Sequence, residues 1–437
     1  MATGSTIRLT RGEWPVYYRP GIIEESAQKA SGLLQTNHDN YHIFFNPEGF
    51  HNHIAHHLLT IYALRAGAGD IQKAYEVNKG YQREQGPSDH DVVSEMRDPA
   101  TFSSYLGRQE HYANFLQFFR SEIDSNGWQN VVNKYIFART DRADDLLCRA
   151  FAGFLHPLIH LGFGIEFKQP AVIAEALAQA AVHGPYMSKF LLPAEAAAQK
   201  HTDKPSRNIV ELLDEIHADE GLLAAPKWSD GNKLRDGIIG RGADQMINYA
   251  SQFHVEPDEL ERKTAEMTNA AVYYTAGSQR PDKKIMYDFY YMHCVNCSVF
   301  FSAFLQQPWL GTGNKIRLLE WKVRNDLAMY ASRKSPEIRL DEIRKNKPNK
   351  PSGWDGVEDR AATFEDDGHT SKLIRALAHG AQICKPYEDS SEFRVKSSDW
   401  LPIAHTVLDS VEAGEPHWVR SAGFDEAWEK IPARAQL

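Results

Sequence analysis

The sequence predicts an all-α fold, and three observations predict it. Apolar residues recur at helical spacing in segment after segment, and strand-type alternation is sparse. The composition, 42% hydrophobic and 24% charged over 437 residues, is that of an ordinary globular chain with enough material for a large core. Residues 1–437 read as a single large helical domain, opening on a short irregular N-terminus.

In chain order, the periodicity places helices at about 50–66, 69–85, 111–124, 144–168, 171–192, 208–217, 259–276, 283–306, 314–333, 367–382 and 400–412. Two polar breaks interrupt them, at 195–208 and at about 334–358, the second in a Lys-, Pro- and Gly-rich stretch that reads as a surface loop. Neither changes the composition enough to mark a domain boundary, and no fixed-period repeat is present.

Four of these helices carry histidine in an apolar setting. "FHNHIAHHLLTIYAL", residues 50–64, holds His51, His53, His56 and His57, and a helical winding puts His53, His56, His57, Thr60 and Leu64 on one face. The other faces are apolar, so the helix is expected to be buried all round and its imidazoles to need partners. A core histidine often finds one in a backbone carbonyl or a carboxylate without doing chemistry. In "CRAFAGFLHPLIHLGFGIEF", residues 148–167, His156 and His160 are four apart on one face, and Pro157 predicts a kink beside them.

"MYDFYYMHCVNCSVFFSAFL", residues 286–305, lines Met286, Phe289, Tyr290, Asn296, Cys297 and Phe300 along the same side as His293. Such a stripe suits core packing and also a flat polycyclic ligand. Cys294 and Cys297 lack the second pair a zinc site would need.

"FEDDGHTSKLIRALAHGA", residues 364–381, sets His369 and Lys372 three apart. An ammonium beside a metal-binding imidazole is out of place, because it repels a cation and has no lone pair. Either the lysine lies at the surface or it is carboxylated by CO2 and becomes an anionic oxygen ligand. Glu365 and Asp366 are the ordinary competitors for an anionic role near a divalent ion.

The charge balance, 49 basic against 58 acidic residues without a long basic block, argues against a nucleic-acid partner. No apolar run of membrane-spanning length and no N-terminal apolar leader is seen, so a cytoplasmic protein without a membrane partner is expected. Four scattered cysteines do not make a disulfide framework.

Taken together, "FHNHIAHHLLTIYAL", "HPLIHLGFG", "FYYMHCVNCSVFFSAFL" and "DGHTSKLIRALAHG" resemble the questin oxidase-like family of fungal polyketide pathways, over nearly the whole chain. The resemblance implies oxidative cleavage of the central ring of a hydroxylated anthraquinone to a benzophenone, with an aromatic polyketide and O2 as the small-molecule partners. It implies non-haem Fe(II) held by His53, His156, His293 and His369, with Lys372 carrying a CO2-derived carboxylate. Histidines on separate helices of a bundle are a usual way to build such a centre between helices.

Under this reading His56, His57 or His160 moves the phenolic proton, with Tyr290 among the alternative donors. A rival is an NADPH-dependent Baeyer-Villiger-type oxygenase, with NADPH otherwise acting as an external reductant. The chain has no GxGxxG after a strand; the nearest run, "GIIGRG" at 237–242, lies in the wrong context. Two further readings are an all-α metal hydrolase, suggested by His90 and Asp91, and a helical protein without catalysis.

Overall fold

The computed structural model describes residues 1–12, 14–200 and 205–434, so part of the polar break 195–208 lies outside the described residues. The all-α expectation holds: helices account for the regular structure, and among the described residues extended pairing is limited to isolated bridges such as Phe44 with His51. No single described helix is long and apolar enough to cross a membrane.

The contacts divide the chain into two compact units. The first comprises Met1–Pro185, Gln306–Leu310 and Glu358–Arg375. At its centre lie two helices buried along their whole length, His156–Glu166 and Pro170–Val182, packed on each other. Tyr112–Asn126 and Asp141–Ala150 pack against the second of them. Glu24–Asn40, Ile54–Ala63 and Ala68–Lys79 form a mutually packed group, in which every residue of Ile54–Ala63 is buried. The second unit comprises Tyr186–Leu305, Gly311–Val357 and Ala376–Leu437. Its core is built on Leu260–Gly277, Phe289–Leu305 and Thr312–Ser332, packed on one another.

Several boundaries differ from the periodicity, each for a local reason. The segment 144–168 is not one kinked helix: Asp141–Ala150 ends, and the chain bends by 71° into Gly153–Glu166. Pro157 sits in the first turn of His156–Glu166, where no intrahelical N–H is required, rather than in a helix interior. The segment 171–192 breaks at His183-Gly184-Pro185 into Pro170–Val182 and Ser188–Ala198. The aromatic helix starts at Phe289, leaving Met286 outside it.

The expected loop at 334–358 contains the helix Asp341–Arg344 and the start of Trp354–Thr363, and Ser335, Leu340, Glu342 and Ile343 within it are buried. Glu24–Asn40 carries no strong apolar stripe; it packs through small and polar residues, Ser26, Ala27, Ala30, Asn37 and His38, with Leu34.

Candidate metal centre

The centre begins with a strained turn in the first unit. Gly153, Phe154 and Leu155 take φ of 54°, 55° and 68° in succession, a left-handed run that costs each non-glycine residue on the order of 1–3 kcal/mol. The turn aims the Gly153 carbonyl at His156 Nδ1, 2.6 Å away. A side chain on residue 153 would collide with the His183 ring and lie 2.9 Å from His51 Nε2. Gly153→Ala is therefore expected to lower stability by at least about 2 kcal/mol, from strain plus overpacking, seen as a lower thermal melting midpoint.

His53 caps the start of Ile54–Ala63, and His369 opens the helix His369–Cys384. Gly368, with φ of 90°, lets the chain enter that helix against His57, whose Cβ an added Cβ would meet at 2.6 Å. His53, His156 and His369, all buried, each offer a ring nitrogen, and these atoms lie within 4.8 Å of one another.

Acceptors on the opposite ring nitrogens set the tautomers. His156 Nδ1 donates to Gly153 O. His53 Nδ1 donates to Asp367 Oδ2 at 3.1 Å, and His369 Nδ1 donates to Asp367 Oδ1. The Nε2 lone pairs therefore converge, and those of His53 and His156 are only 2.9 Å apart. Two bare lone pairs at that distance repel each other unless a cation lies between them, so the donor set fits a metal ion.

The charges around the trio favour a neutral His53. Burial, then the Lys372 charge, depresses His53 to about 3. Partial burial works to raise the Asp367 carboxyl, yet the His369 ring and the hydrogen bonds from His369 and His53 hold it well below the usual range. Lys372 is buried, and burial lowers it to about 8 against the pull of Asp367 and Asp366.

The other sequence candidates fall in several places. His56 and His160 share a hydrogen bond, Nε2 to Nδ1, at 3.0 Å. His57 is drawn toward a different partner: its Nδ1 accepts from Asn78 Nδ2 at 3.1 Å. It also lines a cleft of about 160 Å³ with Ala74, Val77, Phe364 and Asp366. His293 lies in the second unit, in Phe289–Leu305, with Nδ1 2.6 Å from Phe289 O. Tyr290, in the same unit, has the Arg333 guanidinium 3.8 Å above its ring. The hydroxyls of Tyr287 and Tyr291 are taken up by Thr406 and by Tyr330 O.

The carboxylates favoured as competitors prove to have other roles. Glu365 is exposed, and Asp366 accepts from the Gly368 and Thr370 N–H groups as a helix cap. His90 and Asp91 stand on the surface, 97% and 96% exposed, at the start of a helix capped by Asp89. That placement removes the hydrolase pair from any enclosed site. Cys294 and Cys297 are buried, and burial pushes both thiols up, Cys297 to about 12. "GIIGRG" lies in and just after the π-helical turn Lys233–Ile239, not after a strand.

Sequence reasoning named His51 in the cluster without giving it a role, and passed over Asp367, one residue from the acid it weighed, and the flanking groups His183, Glu175 and His38. His51 stacks on His156 with centroids 3.8 Å apart and meets His183 Nε2 at 2.9 Å. The only signal for Asp367 was its position two residues before His369, where a carboxylate at a helix entry can reach back to the ring.

Known proteins are similar to this chain over most of its length. The family model described as questin oxidase-like matches residues 50–377, a span that contains His53, His156, His293, His369 and Lys372. The chain is 40% identical over 419 residues to the Baeyer-Villiger oxidase ptaJ of Pestalotiopsis fici, covering 93% of this chain and 94% of that protein. It is 38% identical over 446 residues to the questin oxidase of Aspergillus fumigatus, covering 99% and 100%. It is likewise 38% identical over 422 residues to the Baeyer-Villiger monooxygenase dmxR6 of a Cryptosporiopsis species, covering 94% of each. With full-length similarity at this level and the motif histidines inside the matched span, the chain belongs to the questin oxidase-like family of oxidoreductases.

Proposed function

We propose that this protein oxidatively cleaves the central ring of a hydroxylated anthraquinone to a benzophenone, using Fe(II) and O2. The observation that carries the reading is the convergence of three imidazole lone pairs from His53, His156 and His369. These ring nitrogens, two of them 2.9 Å apart, would hold the ion between them. Imidazole and oxygen donors suit non-haem iron. When bound, iron supplies activation of O2 beside the substrate carbon.

The chain's own groups hold and balance that site. Asp367 clamps two of the imidazoles and brings one negative charge. Lys372 brings a second once its neutral amine attacks CO2, forming a carbamate N–C bond and releasing one proton. A pKa near 8 leaves about a tenth of the amine neutral at pH 7, against well under a thousandth for an ordinary lysine. Together the two anions offset a divalent ion, which neutral imidazoles alone would leave uncompensated. Of the candidates for moving the phenolic proton, His56 and His160 share a hydrogen bond in the first unit, whereas His57 and Tyr290 keep the partners described above.

Protein supplied with labelled 13C-bicarbonate is expected to show one carbamate carbon resonance that disappears in Lys372→Ala. An unchanged spectrum in the variant would remove Lys372 from this role. For His293, which the family resemblance places in the ligand set, loss of bound iron on His293→Ala keeps it there, and full iron content removes it.

The names of two relatives favour a second reading, a Baeyer-Villiger oxidation, for which NADPH is the reductant we propose. Stoichiometric NADPH consumption during cleavage of the quinone form supports it. Turnover of the pre-reduced substrate with O2 alone supports the iron reading, with NADPH only an external reductant.

A further inference from the structure

Beside the trio, one buried hydrogen-bonded chain crosses five helices of the first unit. Its outer end is Arg120, whose Nε donates to His38 Nε2 at 3.0 Å. His38 Nδ1 meets Glu175 Oε1 at 2.6 Å, and Glu175 Oε2 meets His160 Nε2 at 2.7 Å. His160 Nδ1 meets His56 Nε2 at 3.0 Å.

The direction of every bond follows from the first, because a guanidinium can only donate. His38 Nε2 must accept, so His38 Nδ1 carries the proton and gives it to Glu175. The hydrogen bonds from its two histidines hold the Glu175 carboxyl below its usual range against the effect of burial, so its oxygens only accept. His160 therefore donates from Nε2. In the neutral form of His160, a proton on Nε2 leaves Nδ1 to accept from His56 Nε2–H.

The far end is then fixed as well. His56 must present a bare Nδ1, and that atom is fully buried with no hydrogen-bond partner. Thr60 Oγ1, one turn further along the same helix face, is also buried and unpartnered. Each is an unmet polar atom that the hydroxyl of a bound molecule would satisfy.

We propose that Arg120, His38, Glu175 and His160 are positioning residues that lock His56 in one tautomer, so that His56 Nδ1 accepts a hydrogen bond from a hydroxyl of the aromatic substrate. This rests on the anthraquinone reading for the identity of the donor, but the tautomer itself does not.

Neutron diffraction from the perdeuterated full chain reads the tautomer directly. The expected map has deuterium on His56 Nε2 and none on Nδ1; deuterium on Nδ1 overturns the proposal, whatever the metal or the reaction. Glu175→Gln then inverts the chain, since the amide oxygen must face His38 Nδ1–H and the amide NH2 must face His160 Nε2. His56 Nδ1 becomes a donor in the variant, with iron content unchanged because none of these residues faces the three Nε2 atoms.

Binding separates the source of the hydroxyl. A hydroxylated anthraquinone is expected to bind the variant about tenfold more weakly, while its fully O-methylated counterpart binds both proteins alike. Equal binding of the hydroxylated compound to both proteins would leave His56 facing only water and overturn the substrate contact. Should Glu175→Gln fail to fold, the wild-type map alone decides the tautomer, and the two compounds compared on wild type decide the contact: no preference for the hydroxylated one overturns it.

Discussion

His156→Ala is expected to lose its bound iron and its turnover together. The ring supplies one of two Nε2 atoms 2.9 Å apart, and its orientation is set by the strained turn that precedes it. Loss of a direct ligand should exceed the 10–100-fold cost typical of losing an outer partner, so activity should fall by at least about 10²-fold. The fold should survive, because the helix His156–Glu166 keeps its apolar contacts with Pro170–Val182. Iron content by elemental mass spectrometry, beside a circular dichroism spectrum of unchanged helix content, checks both halves.

Asp367→Asn is expected to be nearly as damaging, although it touches no metal. The carboxylate accepts from two imidazole N–H groups at once, one on each oxygen. An amide has one acceptor and one donor end. Whichever way it turns, its NH2 faces an Nδ1–H, and one histidine must flip its proton to Nε2, where it blocks the lone pair. Metal affinity should fall about 10–100-fold, measured by competition with a chelator of known affinity. Affinity equal to wild type would show that Asp367 does not set the tautomers.

These expectations rest on parts of the molecule that the sequence disclosed unevenly. The helical class and the identity of the apolar helices follow from periodicity, because burial on one or all faces leaves a direct trace in residue spacing. The break before His156 does not, since Gly153-Phe154-Leu155 reads as apolar helix and only the left-handed backbone reveals the turn. His53, His156 and His369 could be singled out as polar residues in apolar surroundings, and the fold brings them together.

Their supports could not be read in the same way. Glu175 lies inside "PAVIAEALAQAAV", where a lone acid resembles a solvent-facing position, yet it is 2% exposed because His38 and His160 arrive from two other helices. His57 illustrates the converse: helical spacing set it beside His53 and His56, but Asn78 draws it into a separate cleft. Side-chain direction at a helix start is decided by tertiary partners, which spacing does not encode.

The central claim is that His53, His156 and His369 hold one iron that the reaction needs. The most direct test is the iron content of the wild-type chain purified without added metal or chelator, followed by turnover of a hydroxylated anthraquinone before and after chelation. The account predicts close to one iron per chain and activity that is lost on chelation and restored by Fe(II). Metal-free protein that cleaves its substrate at full rate would contradict it.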